Sequence, residues 1–278
     1  MKEYLTHTVD TADPDLVSAI DELPLWSAPF GLRLLEVIEL KQNIKVLDLG
    51  CGSGFPLIEI ASRLGSTAGV YGLDPWQQAL QRAKLKLRVY AIKNTLVING
   101  HAEQMPFPDE CFDLIVSNNG INNVRDMKQS IRECFRVGKS GAQLVFTLNL
   151  EKTMIEFYSV FQKILKQNKI FDALPRVKQH IYDKRRPLSE IKSILRETGF
   201  QIRNVIEDSF KFRFTDGTSM LNHFFIKNWF LDSWKKIPDP NDLVHIFDQV
   251  ETELNRQAHK NGEIDLSIPF VTIDCKKL

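Results

Sequence analysis

An apolar stretch, Val46-Leu47-Asp48-Leu49, runs into Gly50-Cys51-Gly52-Ser53-Gly54, with three glycines at alternate positions. Glycine lets a backbone turn sharply and approach a ligand where a Cβ would collide. Pro56 suits a first helical turn and Gly65 a helix end. Between them Leu57, Ile60, Ala61 and Leu64 share one helical face. The unit reads as strand, glycine loop and helix. Its chemistry is ligand binding: bare amides and a helix N-terminus can hold an anionic group of a nucleotide-like ligand.

The spacing narrows the ligand. A dinucleotide fingerprint is G-x-G-x-x-G. Counted from Gly50, its third glycine falls on Phe55; counted from Gly52, it falls on Leu57. The chain has G-x-G-x-G, with Asp48 two residues ahead. A second apolar run, Gly69-Val70-Tyr71-Gly72-Leu73, ends in Asp74. A carboxylate at the tip of the second strand can accept hydrogen bonds from both hydroxyls of a ribose. A loop without the third glycine suits a pyrophosphate less well and can admit an amino-acid carboxylate. Ribose plus amino acid is the outline of S-adenosylmethionine.

In their order along the chain these segments resemble the motifs of class I S-adenosylmethionine-dependent methyltransferases. The nearest pattern is the small-molecule branch that includes the ubiquinone and menaquinone methyltransferases. The glycine loop resembles the first motif and Gly72-Leu73-Asp74 the acidic second. Gly100-His101-Ala102-Glu103-Gln104-Met105-Pro106-Phe107-Pro108 resembles the segment bordering the adenine. Phe112-Asp113-Leu114-Ile115-Val116-Ser117-Asn118-Asn119 resembles the fourth-strand motif. Glu133-Cys134-Phe135-Arg136-Val137-Gly138-Lys139-Ser140-Gly141-Ala142 resembles the turn from helix to fifth strand. The resemblance covers residues 44–150, and more weakly 188–206. It departs from the family at His101, where an acid or amide is usual, and at Ser140 and Ala142, which replace a proline and a glycine.

The resemblance implies S-adenosylmethionine as cofactor and a small-molecule methyl acceptor. Gly50, Cys51, Gly52, Ser53 and Gly54 would form the backbone bed for the amino-acid end. Asp48 would act on the ammonium or orient the loop, and Asp74 would hold the ribose. Pro75 and Trp76 follow, with Trp76 flanking the adenine or packing the next helix. Ala102 and Glu103 would border the adenine, and Ser117 and Asn118 would line the floor beneath the methionine portion. Asn119, Asn122 and Asn123 serve turn chemistry or orient the acceptor. Methyl transfer from a sulfonium requires alignment and exclusion of water. A base is needed only where the acceptor must lose a proton. His180, His223, Tyr158 and Tyr182 are available, and none is assigned.

The elements that must position these residues alternate. Strands are expected near 45–50, 69–74, 95–99, 112–117 and 142–149, with helices between them. This is the pattern of an α/β, Rossmann-like, doubly wound and mostly parallel sheet, here of seven strands. Residues 1–43 read as an N-terminal helical extension, punctuated by Pro24 and Pro29 and carrying Leu25, Trp26 and Phe30. In the resembled family such an extension helps close the pocket; alternatively Trp26 packs on the core. Residues 44–150 read as the cofactor-binding core, 151–186 as a helical insertion, and 187–214 as a core helix and strand. Residues 215–265 read as a second helical insertion and 266–278 as the final core strand. Both insertions are expected to cover the pocket. Thr153-Met154-Ile155-Glu156 has the form of a capping box. Pro175 and His180 fall in an expected loop, and Ser189 in an expected helix cap.

Composition sets outer limits. The 278 residues are 43% hydrophobic and 26% charged, as in globular proteins. A net charge of +1 argues against a nucleic-acid partner. Residues 151–186 hold nine Lys/Arg against four Asp/Glu, either a solvated face or an attraction for an anionic substrate. The four cysteines lack C-x-x-C spacing, so no metal site is expected and cytoplasmic, reduced thiols are. No signal peptide and no membrane-spanning run is expected. The expected function is methyl transfer to a small molecule. Two readings stay open beside it: an NAD(P)-dependent oxidoreductase, which the missing third glycine disfavours, and a module that binds the cofactor without catalysis.

Overall fold

The computed structural model describes residues 2–22 and 25–278; Pro24 lies outside them. The chain forms two compact units. The larger comprises residues 11–150, 185–208 and 270–278. The smaller comprises residues up to 10, 151–184 and 209–269.

Seven strands stand among the described residues: β1 (Lys45–Leu49), β2 (Gly69–Asp74), β3 (Thr95–Asn99), β4 (Phe112–Asn118), β5 (Gly138–Asn149), β6 (Phe200–Phe214) and β7 (Ile264–Lys277). Their order in the sheet is β3-β2-β1-β4-β5-β7-β6. The first five run parallel, and β7 runs antiparallel to β5. This is the Rossmann-like, mostly parallel α/β sheet that the alternation predicts. The order reverses between β1 and β4, and at such a reversal ligands of open α/β sheets bind beyond the carboxyl ends of the strands.

The helices of the larger unit are α2 (Pro14–Glu22), α3 (Ser27–Val37), α4 (Leu57–Leu64), α5 (Gln77–Val89), α6 (Met127–Val137) and α9 (Leu188–Thr198). Alternate residues of a strand face opposite sides of the sheet. Leu47 and Leu49 accordingly join a core with Ile131 and Cys134 of α6 and Ile191 and Leu195 of α9. Val46 joins the opposite core with Leu34 of α3, Leu57 and Ile60 of α4, and Leu80 of α5. Both faces being covered explains why β1 reads as an almost unbroken apolar run. Asp126 caps α6 by accepting from the Gln129 N–H at 3.0 Å. Gly65 (φ +66°) ends α4 and Gly199 (φ +104°) ends α9.

The smaller unit is mainly helical: α1 (Glu3–Thr6), α7 (Ile155–Gln167), α8 (Ala173–Lys184), α10 (Gly217–Asn222), α11 (Phe224–Ile226), α12 (Asp232–Lys235) and α13 (Leu243–Asn261). A π-helical turn, Lys227–Leu231, joins α11 to α12. Phe157, Phe161, Trp234, Phe247 and Leu254 are buried in its core. The ends of β6 and β7 continue into it, with Lys211 paired to Asp265 at 2.5 Å and Arg213 to Glu263 at 2.6 Å.

Three local expectations fail, each for a physical reason. The stretch holding Pro175 and His180 is helix α8, because Pro175 falls in the first turn, where no N–H is required. The capping box at Thr153 does not form. Met154 precedes α7 in the left-handed region (φ +57°). Glu156 accepts instead from the N–H and hydroxyl of Ser267, at 3.0 and 2.5 Å. Tertiary partners outcompete the local cap. Ser189 lies inside α9, whose cap position is Pro187.

One contact sets how closely β1 and β4 converge. A Cβ on Gly120 would stand 2.6 Å from the Leu49 carbonyl oxygen and 3.1 Å from Gly50 Cα. A Cβ on Gly50 would stand 2.9 Å from Gly120 Cα. Backbone cannot yield as a side-chain tip can. Gly120→Ala is therefore expected to destabilise the protein by roughly 1–3 kcal/mol through overpacking. The shift in the urea-unfolding midpoint measures this, and an unchanged midpoint contradicts the contact.

Candidate cofactor site

The glycine loop leaves β1 pinned to β2. The N–H groups of Gly50 and Cys51 donate to the Leu73 carbonyl at 2.8 and 3.3 Å, and the Gly54 N–H donates to the Cys51 carbonyl at 2.8 Å. Gly50, Gly52 and Gly54 have φ of +76°, +49° and +105°. At Gly52 a Cβ would meet nothing within 4 Å. The left-handed backbone, not crowding, favours glycine there, and the space beside it is open to a ligand. The Cys51 side chain is buried. Burial, and then the charges of Asp48 and Asp74, push its thiol well above the ordinary value. The residue offers a ligand its backbone rather than a reactive sulfur.

Asp74 closes the loop from the neighbouring strand. Its Oδ2 accepts from the Gly52 N–H at 2.9 Å and its Oδ1 from the Trp76 N–H at 2.8 Å. A carboxylate has about four acceptor positions, so both oxygens retain capacity for a pair of hydroxyls. Burial raises its pKa, and the N–H groups of Trp76 and Gly52 only partly counter this. Asn99, the register partner of Asp74 on β3, donates to the carbonyls of Asp74 and Pro75 at 3.2 and 3.0 Å. Pro75 is exposed. The Trp76 indole N–H donates to the Thr11 carbonyl at 2.8 Å.

Asp48 is the unusual group. It lies in β1 between Gly72 of β2 and Val116 of β4 and is fully buried. Neither carboxylate oxygen has a hydrogen-bond partner among the described residues. The Leu57 amide draws its pKa down slightly without reaching hydrogen-bond geometry. Burial, and then the Asp74 charge, prevail and push it up from 3.8 to about 8. A buried carboxyl left without a donor is costly unless a cation or donor arrives from outside the chain.

The remaining expected residues follow β3 and β4. Ala102 is buried in the core. The Glu103 carboxylate accepts from the N–H groups of Arg125 and Asp126 at 2.7 and 3.2 Å. It braces the entry to α6, so its backbone rather than its charge is left to border a ligand. His101 is exposed. Ser117 donates to the Leu49 carbonyl at 2.7 Å and accepts from the Ile121 N–H at 3.2 Å. It joins the end of β1 to the turn after β4. Asn118 accepts from the Thr147 hydroxyl at 3.1 Å and donates to the Ser27 carbonyl at 3.1 Å. Asn122 donates to the side chains of Asn119 and Asn149, and Asn123 to the Asn119 carbonyl at 3.2 Å. The asparagines hold one another in a turn.

The loops after β1, β2, β3 and β4 thus leave the same sheet end, each with its expected residues. The residues that sequence reasoning missed support them: Asn99, Thr147 and Asn149. All three are polar residues at the carboxyl ends of strands, which is the signal that could have found them. The glycine loop also has an outside partner in Asp21, which carried no signal.

In the smaller unit, the four candidate bases have distinct surroundings. Tyr158 is fully buried; its hydroxyl accepts from the Trp234 indole N–H at 3.0 Å and lies 3.0 Å from His180 Nε2. Tyr182 is exposed. His223 lies 5.2 Å from the Phe214 ring and 6.4 Å from Phe212, and burial lowers its pKa. Phe210, Phe212 and Phe214 share one half-buried face of β6. It continues through Phe225, which lies 6.2 Å from Phe212 and stacks on Trp229 at 5.4 Å.

Comparison with known proteins agrees with this geometry. Residues 40–155 match a family described as a methyltransferase domain. A demethylmenaquinone methyltransferase of Bacillus mycoides is 32% identical over 123 residues, 44% of this chain and 52% of that protein. The chain thus spans about half the length of the curated relatives it matches. Among solved structures, a SAM-dependent methyltransferase from Aquifex aeolicus superposes with a TM-score of 0.52 and 21% identity. It covers 70% of this chain and 92% of its own. The cyclase SpnF superposes with a TM-score of 0.57 and 15% identity, over 90% of this chain and 80% of its own. At these identities the structures share the fold, which by itself does not fix an activity.

The Asp48 geometry makes a pH prediction. Its folded-state pKa lies above its unfolded value, so the folded protein binds the extra proton between about pH 4 and 8. Stability without ligand should fall as pH rises through that window, because the unfolded state releases the proton first. The Asp48→Asn variant should lose most of that slope, on the order of several kcal/mol across the window. Urea unfolding at pH 5, 6.5 and 8 measures it, and equal slopes in both proteins contradict the burial argument.

Proposed function

We propose that this chain, whose residues 40–155 match a methyltransferase-domain family, transfers a methyl group from S-adenosylmethionine to a small molecule by in-line displacement. The observation that carries the reading is the buried, unpartnered carboxyl of Asp48, close to a loop of left-handed glycines and the carboxylate of Asp74. An amino acid joined to a ribose fits this donor set: an ammonium relieves Asp48, and two hydroxyls use the open acceptor positions of Asp74. Four of the five loop N–H groups are taken by the Leu73 and Cys51 carbonyls and by Asp74, which leaves the N-terminus of the adjacent α4 as the element that suits a carboxylate.

When bound, S-adenosylmethionine supplies a methyl group on a sulfonium that a nucleophile can displace. The chain contributes alignment. Asp74 would hold the ribose and Asp48 the ammonium, and Gly50–Gly54 would form the bed for the amino-acid end. Ser117 and Asn118 hold the floor rigid, which is the condition for an entropic advantage in a displacement. Pro75, Trp76, Ala102 and Glu103 border the adenine in this reading. No residue is assigned as a base.

The face of Phe210, Phe212, Phe214 and Phe225 in the smaller unit suits an apolar, planar ligand. Demethylmenaquinone, named for the relatives, is of that kind. A net charge of +1 supports a small molecule over nucleic acid. The four free thiols support a cytoplasmic location. No described helix is long and apolar enough to cross a membrane.

Calorimetry with S-adenosylhomocysteine tests the reading. Because the ammonium favours the Asp48 carboxylate, binding at pH 7 should release a proton, seen as a buffer-dependent enthalpy that Asp48→Asn removes. Asp74→Ala should weaken binding by roughly 1.5–3 kcal/mol through loss of charge-assisted hydrogen bonds. Stabilisation by NADH and not by S-adenosylhomocysteine would reverse the assignment. Transfer of labelled methyl from S-adenosylmethionine to a 1,4-naphthoquinol probe tests the acceptor class.

A further inference from the structure

Asp21, near the end of α2, lies outside every motif of the cofactor site and yet holds its loop. Its Oδ1 accepts from the Ser53 hydroxyl at 2.8 Å and from Lys86 Nζ at 2.6 Å, and its Oδ2 accepts from Arg82 Nε at 2.8 Å. The Asp21 side chain is only 9% exposed, against 26% for Arg82 and 19% for Lys86. Exposed ion pairs contribute little. This one is largely sheltered and engages three donors, so losing the acid would strand two cations and a hydroxyl. Burial opposes ionisation of Asp21, and the hydrogen bonds from Lys86, Arg82 and Ser53 more than offset it, leaving the carboxyl below its usual range. Arg82 and Lys86 stand one turn apart on α5. Ahead of α2, the Thr11 carbonyl accepts from the Trp76 indole. Residues 11–21 are therefore fixed to both loops that flank the proposed cofactor.

Ser53 sits between Gly52 and Gly54, whose backbones are both left-handed. Glycines lose more conformational freedom on ordering than other residues, so such a loop does not hold its shape on local preference alone. A tether at the one side chain between them adds a side-chain constraint to the backbone hydrogen bonds that Leu73, Cys51 and Asp74 accept from the loop. We propose that Asp21 is a positioning residue for the cofactor: through the Ser53 hydroxyl it holds the Gly50–Gly54 loop in its binding shape before the cofactor arrives. A pre-organised loop avoids an ordering cost at the moment of binding. Arg82 and Lys86 keep the acid charged and aimed. The inference rests on the proposed function only for the identity of the ligand; the tether itself is independent of it.

The test combines Asp21→Ala, Ser53→Ala and the double variant. Two quantities are measured in the full chain: amide hydrogen exchange of residues 50–54 without ligand, and the Kd for S-adenosylhomocysteine. Each single variant should exchange faster across the loop and bind about tenfold more weakly. The double variant should be no worse than Asp21→Ala, because the Ser53 link is already lost once the acid is removed. Unchanged loop exchange in Ser53→Ala overturns the proposal, even if Asp21→Ala fails to fold. So do single losses that multiply in the double variant, or a folded Asp21→Ala that binds as well as the parent. A parent protein that does not bind S-adenosylhomocysteine refutes the proposed function instead, and the exchange arm still decides the tether.

Discussion

Asp48 stands in the middle of a parallel sheet, between a glycine and a valine, with neither oxygen hydrogen-bonded among the described residues. Its neighbours follow from that. Gly72 cannot carry a side chain, because a Cβ there would meet Cys51 Sγ at 2.6 Å and Leu57 Cδ2 at 2.9 Å. Burial among these groups, and then the Asp74 charge, raises the pKa of the acid. A folded protein tolerates such a group when something else balances it. Here the loop after β1 and the acid after β2 form the surroundings in which a cationic ligand group would do so.

Much of this was legible in the residues. Continuous apolar runs at β1 and β4 indicate strands covered on both faces, and both are. Asp126 and Gly138 mark the ends of α6, and Gly65 and Gly199 the ends of two others, because caps are local chemistry. The spacing Asp48, Gly50, Gly52, Gly54 and the lone Asp74 mark the loop after β1 and the end of β2, which Gly52 and Asp74 join by a hydrogen bond. What the residues did not disclose was tertiary. The would-be capping box fails because Glu156 finds Ser267, more than a hundred positions away. Glu103 serves the start of α6, and Asp21 reaches Ser53, Arg82 and Lys86. Long-range polar partners leave no period or motif in a sequence.

The two units also differ in how function can be read from them. In the larger one the informative groups are backbone amides and two acids, so their meaning survives low identity. In the smaller one they are aromatic rings, which serve equally as core and as recognition surface. The stack of Phe157 on Trp234, with ring centres 3.8 Å apart, belongs to a buried core. The half-buried face of β6, with His223 beside it, has the mixed character of ligand surfaces.

The chain leaves and re-enters the smaller unit several times: up to residue 10, from 151 to 184, and from 209 to 269. Two of those passages occur inside single strands, β6 and β7. That unit is therefore not a cassette. A recombination event that transplanted it between relatives would have to exchange three separate gene segments together while leaving two strands continuous. Changes to its aromatic faces are more accessible through single substitutions than through wholesale replacement.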